Sequence, residues 1–191
     1  MLTTRKPTLT PRQGPGLTPL GIAQARLIAA RLRGLPAYLD SIISSTMARA
    51  RETAAVINET LSDIPMHQSA LLSECTPPTF RKLKDEAEEE QTACTKRLDR
   101  VFLEQFTPAM GAERNDLIVA HGNIIRYLVT KALGVDTRAW AGMAVAHASL
   151  TVIRVRPDGS MSVLSVGDVG HVPSNMQSWG TESNPQLLAL D

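Results

Sequence analysis

Histidine is scarce in this chain of 191 residues: there are four, and none precedes His67. Any chemistry that needs an imidazole within residues 1–66 is therefore excluded. Cysteine is scarcer still. Cys75 and Cys94 are the only two, without metal-ligand spacing and too few for a disulfide framework, so a reducing, cytoplasmic location is the expectation. No apolar run approaches the roughly 20 residues of a membrane span, and residues 1–16 lack the apolar core of a secretory signal. Neither membrane attachment nor export is expected. A net charge of +1 leaves no basic face for nucleic acid, so positive charge has to act locally, in a pocket. There is no internal repeat.

What is present is an ordinary folding composition, 43% hydrophobic and 20% charged, enough for one well-packed domain. Thr18-Pro19 reads as an N-cap followed by proline at the first helical position. The stripe Leu20, Ala23, Leu27, Ala30 continues as an amphipathic helix stopped at Gly34 and Pro36. Ser41 to Ser45 is a β-like run feeding a helix with apolar positions Ala50, Ala54, Ile57 and Leu61. A short strand is expected near Met66, then a loop over residues 71–78. The acidic run Asp85 to Glu90 opens a long helix through Leu98, Val101, Leu103 and Phe106, its carboxylates favoured by the helix dipole. Leu117 to Ala120 reads as a buried strand entering a helix that runs to Leu133. Residues 149–155 and 161–166 flank Arg156-Pro157-Asp158-Gly159, a hairpin signal. The pattern predicts an α/β fold: a mostly parallel central sheet flanked by helices, with an antiparallel C-terminal hairpin.

Two places carry candidate chemistry. His121 follows the Leu117 strand, at the carboxyl edge where open α/β sheets bind ligands; its other reading is a histidine satisfied by a nearby backbone group. Arg49 falls in the first turn of the second helix, beside unpaired N–H groups and the positive end of the dipole. That placement fits an anion pocket, against the ordinary fate of a solvated arginine, which is the expectation for Arg51. Asn123 is expected to cap the helix after His121, and Arg126 to be structural. His147 and residues 167–171 are placed near the pocket or in packing.

With Leu17-Thr18-Pro19-Leu20-Gly21, the S-x-x-x-R-A-x-x-T-A pattern of Ser45 to Ala54, Leu71 to Glu74, His121 to Tyr127, Arg156 to Gly159 and Gly167 to Gly170, the chain resembles the histidine phosphatase (phosphoglycerate mutase-like) superfamily. Within it the resemblance is to the branch of mitochondrial serine/threonine protein phosphatases. It implies a phosphomonoester hydrolase working through a phosphohistidine, without cofactor or metal, on a phosphorylated small molecule or phosphoprotein. It implies phosphate binding by Arg49 and His121, His121 acting as a cation that offsets charge on the transferred phosphoryl group. Glu74 aligns with the carboxyl that protonates the leaving oxygen, which requires a raised pKa.

The family's nucleophilic histidine belongs in an Arg-His pair before the Leu-Thr-Pro segment. The matching stretch here offers Arg5-Lys6-Pro7, which implies a phosphate-binding role for Arg5 and puts Lys6 at a degenerate nucleophile position. An ammonium with an ordinary pKa of about 10.4 has no lone pair at neutral pH. Truncation, substitution and a wrong start all remain open as its origin. The expected organisation is an irregular or degenerate first strand over 1–16, the phosphatase-like domain over 17–173 and a tail over 174–191. Two activities follow as expectations: phosphomonoester hydrolysis, or binding of phosphorylated ligands without turnover.

Overall fold

The computed structural model describes residues 14–35, 38–62, 64–80 and 87–180. Helix α1 (Pro19–Arg33) starts as its sequence dictates: the Thr18 side chain accepts a hydrogen bond from the Gly21 N–H, with proline in the first turn, and Gly34 closes it. Strand β1 (Ser41–Ser45) follows and leads through Thr46-Met47 into α2 (Ala48–Leu61). Strand β2 (Met66–Ser69), α3 (Glu88–Gln105), β3 (Asp116–Val119) and α4 (Gly122–Ala132) complete the parallel part. The hairpin β4 (Leu150–Val155) and β5 (Met161–Asp168) forms a separate antiparallel pair.

Among the described residues three parallel strands lie in the order β2-β1-β3, so the first of these in sequence is central. Strand β1 is buried along its whole length, because side chains that alternate across it find a helical layer on each face. Ile42 points into a cluster with Ile28, Ala29, Leu32, Ala54 and Ile57 from α1 and α2, joined by Leu117 and Val119. Ile43 points the other way, into Leu72, Leu98, Val101, Ile124, Tyr127 and Trp140, with Ile118 packed on their edge. The result is a helix-sheet-helix sandwich. The expected α/β architecture with its antiparallel C-terminal hairpin is what the chain forms.

The cysteine expectation is corrected. Cys75 and Cys94 are joined in a disulfide, with their Cα atoms 5.9 Å apart, tying the loop after β2 to the first half of α3. They lie 19 positions apart in sequence, and the spacing is uninformative because the packing of α3 against the loop after β2 is a tertiary event.

Candidate functional site

Parallel pairing is what builds the site. Ser44 of β1 is in register with Val119 of β3, so the two strands end side by side and their helices, α2 and α4, start side by side. Neither start is closed by a side chain: Met47 and His121 hold the two N-cap positions, and neither side chain accepts from its helix. Two sets of unpaired N–H groups and two positive dipole ends thus face one crevice, an arrangement that attracts an anion.

His121 stands at the centre, 5% exposed. Its Nε2 lies 2.9 Å from the hydroxyl of Ser45, which also accepts a 3.2 Å hydrogen bond from the Met47 N–H. The hydroxyl thus ties the His121 ring to the start of α2. Burial, and after it Arg49 and Arg97 nearby, pull the His121 pKa down to about 4. This shift favours the neutral imidazole, so the cationic form implied by the resemblance needs a negative charge beside it. Desolvation and neighbouring positive charge both disfavour a second proton.

Glu74 approaches from the loop after β2. Its N–H contacts Met47 Sδ at 3.3 Å, and its Oε1 is buried with no hydrogen-bond partner among the described residues. Burial raises its pKa to about 7 against the opposing pull of Arg49, Arg126 and Arg97. A carboxyl in that state is half-protonated at neutral pH, as a proton donor to a leaving oxygen has to be. Arg49, half-buried in the first turn of α2, is close enough to lower the pKa values of His121 and His147. Gly14 packs against it: a Cβ there would sit 3.2 Å from the Arg49 guanidinium, and its φ of +62° is a conformation that favours glycine. Arg5 and Lys6 lie outside the described residues.

Other expectations are redistributed by packing. Asn123 does not cap α4; its amide N–H2 donates to the Cys75 carbonyl at 3.2 Å and its Oδ1 accepts from Arg126. Arg126 is structural as expected, its guanidinium donating also to the Gly122 and Met143 carbonyls and lying 4.6 Å over the Trp140 ring. Arg51 is not a solvated surface arginine: it is half-buried, with its Nε enclosed. His147 stands near Arg49 and is held by the Ser178 hydroxyl at 2.9 Å. His171 instead bonds the Ala148 carbonyl. Arg97 of α3 is the residue that sequence reading passed over; it influences both Glu74 and His121. The available signal was a cation inside the apolar stripe Cys94, Leu98, Val101. Among the described residues no group of three or more His, Cys, Asp or Glu side chains is placed to hold a metal, and no helix is long and apolar enough to cross a membrane.

The chain matches the family model of the histidine phosphatase superfamily (branch 1) over residues 3–113 and 92–168. It is 36% identical over 171 residues to the Caenorhabditis elegans protein named serine/threonine-protein phosphatase Pgam5, mitochondrial, covering 85% of this chain and 60% of that protein. Its identity to the Xenopus tropicalis counterpart, of the same printed name, is 33% over 168 residues, covering 82% of this chain and 58% of that protein. The chain thus spans about three fifths of the length of these relatives. Among solved structures, a phosphoglycerate mutase from Plasmodium falciparum superposes with a TM-score of 0.63 at 25% identity, covering 82% of this chain and 89% of that one. A phosphoserine phosphatase from Entamoeba histolytica, with a TM-score of 0.66 at 19% identity over 83% of this chain and 87% of that one, shares the fold. The relatives' names overturn one expectation: they are mitochondrial proteins, so the cytoplasmic location inferred from cysteine usage does not stand.

Proposed function

Because this chain belongs to the histidine phosphatase superfamily, branch 1, we propose that its crevice receives the phosphoryl group of a phosphomonoester, on a phosphoprotein or a small molecule, and that Arg49, Glu74 and His121 act on it there. One observation carries the reading: a buried histidine, a carboxyl with its Oε1 buried and an arginine meet where two helices without side-chain caps begin. The planar fork of Arg49 suits two phosphoryl oxygens at once, and the N–H groups of α2 and α4 take the others. As water bonds to phosphorus and the ester P–O bond breaks, Glu74 gives its proton to the departing oxygen and becomes a carboxylate, and the proton shed by the water restores the carboxyl. His121 donates an N–H hydrogen bond while it is neutral. A bound dianion raises its proton affinity, so that it gains positive charge when phosphate arrives rather than before.

In this reading Arg5 adds a further cation and Lys6 holds the position of the family's nucleophile. Gly14, which abuts Arg49, supports this. Lysine at that place favours a second reading, a pseudophosphatase that binds phosphorylated ligands without turning them over.

Hydrolysis of p-nitrophenyl phosphate by the natural chain, Lys6→His and His121→Ala separates the two, with orthovanadate as a binding probe read by melting temperature. Turnover only in Lys6→His, with vanadate stabilising every chain except His121→Ala, identifies a binding protein. Turnover by the natural chain that disappears in His121→Ala identifies a working phosphatase. A melting temperature indifferent to vanadate in the natural chain refutes the phosphate pocket itself, since a ligand that binds only the native state must stabilise it.

A further inference from the structure

The loop that carries Glu74 is held from α3 at two points on either side of it. Before it, the Arg97 guanidinium donates a 2.5 Å hydrogen bond to the Ser73 carbonyl. After it, the disulfide joins Cys75 to Cys94, three positions before Arg97 on the same helix. Residues three apart on a helix share a face, so both ties leave α3 toward the same tripeptide, Ser73-Glu74-Cys75. Arg97 is half-buried, and its Nε is enclosed without a hydrogen-bond partner among the described residues. A cation in that position costs desolvation, which pulls the Arg97 pKa down, while the nearby Glu74 carboxyl opposes that pull. It lies beside a carboxyl whose Oε1 is buried without a hydrogen-bond partner among the described residues, while the backbone N–H of Cys75 donates to the group.

We propose that Arg97 is a positioning residue for Glu74, and that with the Cys75–Cys94 disulfide it forms a two-point clamp that holds the carboxyl in the crevice. The proposal rests on Glu74 being the proton donor of the reaction proposed above. The parts of the clamp do opposite things to the carboxyl. The disulfide keeps the loop against α3 and so keeps Glu74 out of water. The Arg97 charge favours the carboxylate, together with Arg49 from α2 and Arg126 from α4, the other cations that face it.

The test is the titration of the Glu74 side chain in the full chain, followed by carbon-13 NMR with Glu74→Gln to assign the signal. Arg97→Gln removes the charge but leaves an N–H donor for the Ser73 carbonyl, and the titration midpoint is expected to rise by about half a pH unit or more. Arg97→Lys restores the charge and with it the natural midpoint. The double variant Cys75→Ala, Cys94→Ala keeps the charge and releases the loop, and the midpoint is expected to fall toward that of an ordinary carboxyl. Opposite shifts in two variants are a signature that general loosening of the fold does not produce. A midpoint unmoved in Arg97→Gln overturns the positioning role; one unmoved in the double cysteine variant removes the disulfide from the clamp. If the latter variant fails to fold, as circular dichroism will tell, the arginine pair still decides the positioning role. Vanadate binding is measured on the same samples. A carboxyl that follows Arg97 in a chain that binds no vanadate refutes the phosphate pocket and keeps the clamp, while vanadate binding with an indifferent carboxyl does the reverse.

Discussion

The hydroxyl of Ser45 and Nε2 of His121 lie 2.9 Å apart although 76 residues separate them in sequence. The bond closes the seam between β1 and β3 at their carboxyl ends and holds the imidazole ring in place. Ser45 is fully buried, so nothing else in solution can replace its hydroxyl.

Ser45→Ala is accordingly expected to cost about 1–3 kcal/mol, the penalty for stranding a buried polar partner. Urea unfolding of the two chains measures it. The variant should also shift the nitrogen-15 resonances of the His121 ring; an unaltered ring spectrum refutes the Ser45–His121 hydrogen bond.

Acidity should act on the fold through two opposed groups. Glu74, with its pKa raised by burial from 4.5 to about 7, binds more protons folded than unfolded between those values, so its contribution is present at low pH and is lost as pH rises through 7. His121, with its pKa lowered by burial from 6.5 to about 4, does the opposite: its contribution is present above pH 6.5 and is lost as pH falls toward 4. In the natural chain the slopes offset each other between pH 4.5 and 6.5. Glu74→Gln should therefore be destabilised by acid more steeply than the natural chain, and His121→Gln should lose stability as pH rises toward 7. Unfolding free energies at half-unit steps from pH 4.5 to 7.5 show whether the two variants diverge in these directions.

The disulfide closes a short loop, its cysteines 19 residues apart in sequence. Chain entropy of the unfolded state assigns such a closure about 3 kcal/mol. The Cys75→Ala, Cys94→Ala chain is expected to be less stable by roughly that amount, with a lower melting temperature. Thiol titration of the denatured natural chain should find none before reduction and two after; two free thiols before reduction contradict the bond.

Arg126 spends its donors on Gly122, Asn123 and Met143, and its plane on Trp140. Arg126→Met retains the length of the side chain and strands those acceptors, at an expected cost of about 2–4 kcal/mol. Urea unfolding followed by tryptophan fluorescence measures it, and a cost below about 0.5 kcal/mol, the range of ordinary surface substitutions, would contradict the structural role.

Local signals were enough wherever a single stretch of chain decides its own conformation. The Thr18 cap, the β1-to-α2 and β3-to-α4 junctions and the turn at Asp158-Gly159 all follow from nearest-neighbour chemistry and from the period of apolar residues. Arg49, Glu74 and His121 stand out as candidates in the sequence because each sits at a fixed place relative to such a junction or to a recognisable motif.

What the linear chain did not contain was which buried groups would become neighbours. Asn123 stands where a cap belongs, yet Cys75 and Arg126 compete for its amide and win, because α4 begins against the Glu74 loop. Arg97 looked like one basic residue among several on a charged helix until α3 folded over that loop. The state of His121 was decided last, since a pKa depends on burial and on charges brought within a few ångströms. Helix starts, strand periods and turns were determined by sequence alone; the disulfide, the Arg97 clamp and the protonation of Glu74 and His121 were decided only when parallel pairing and helix packing set distant residues side by side.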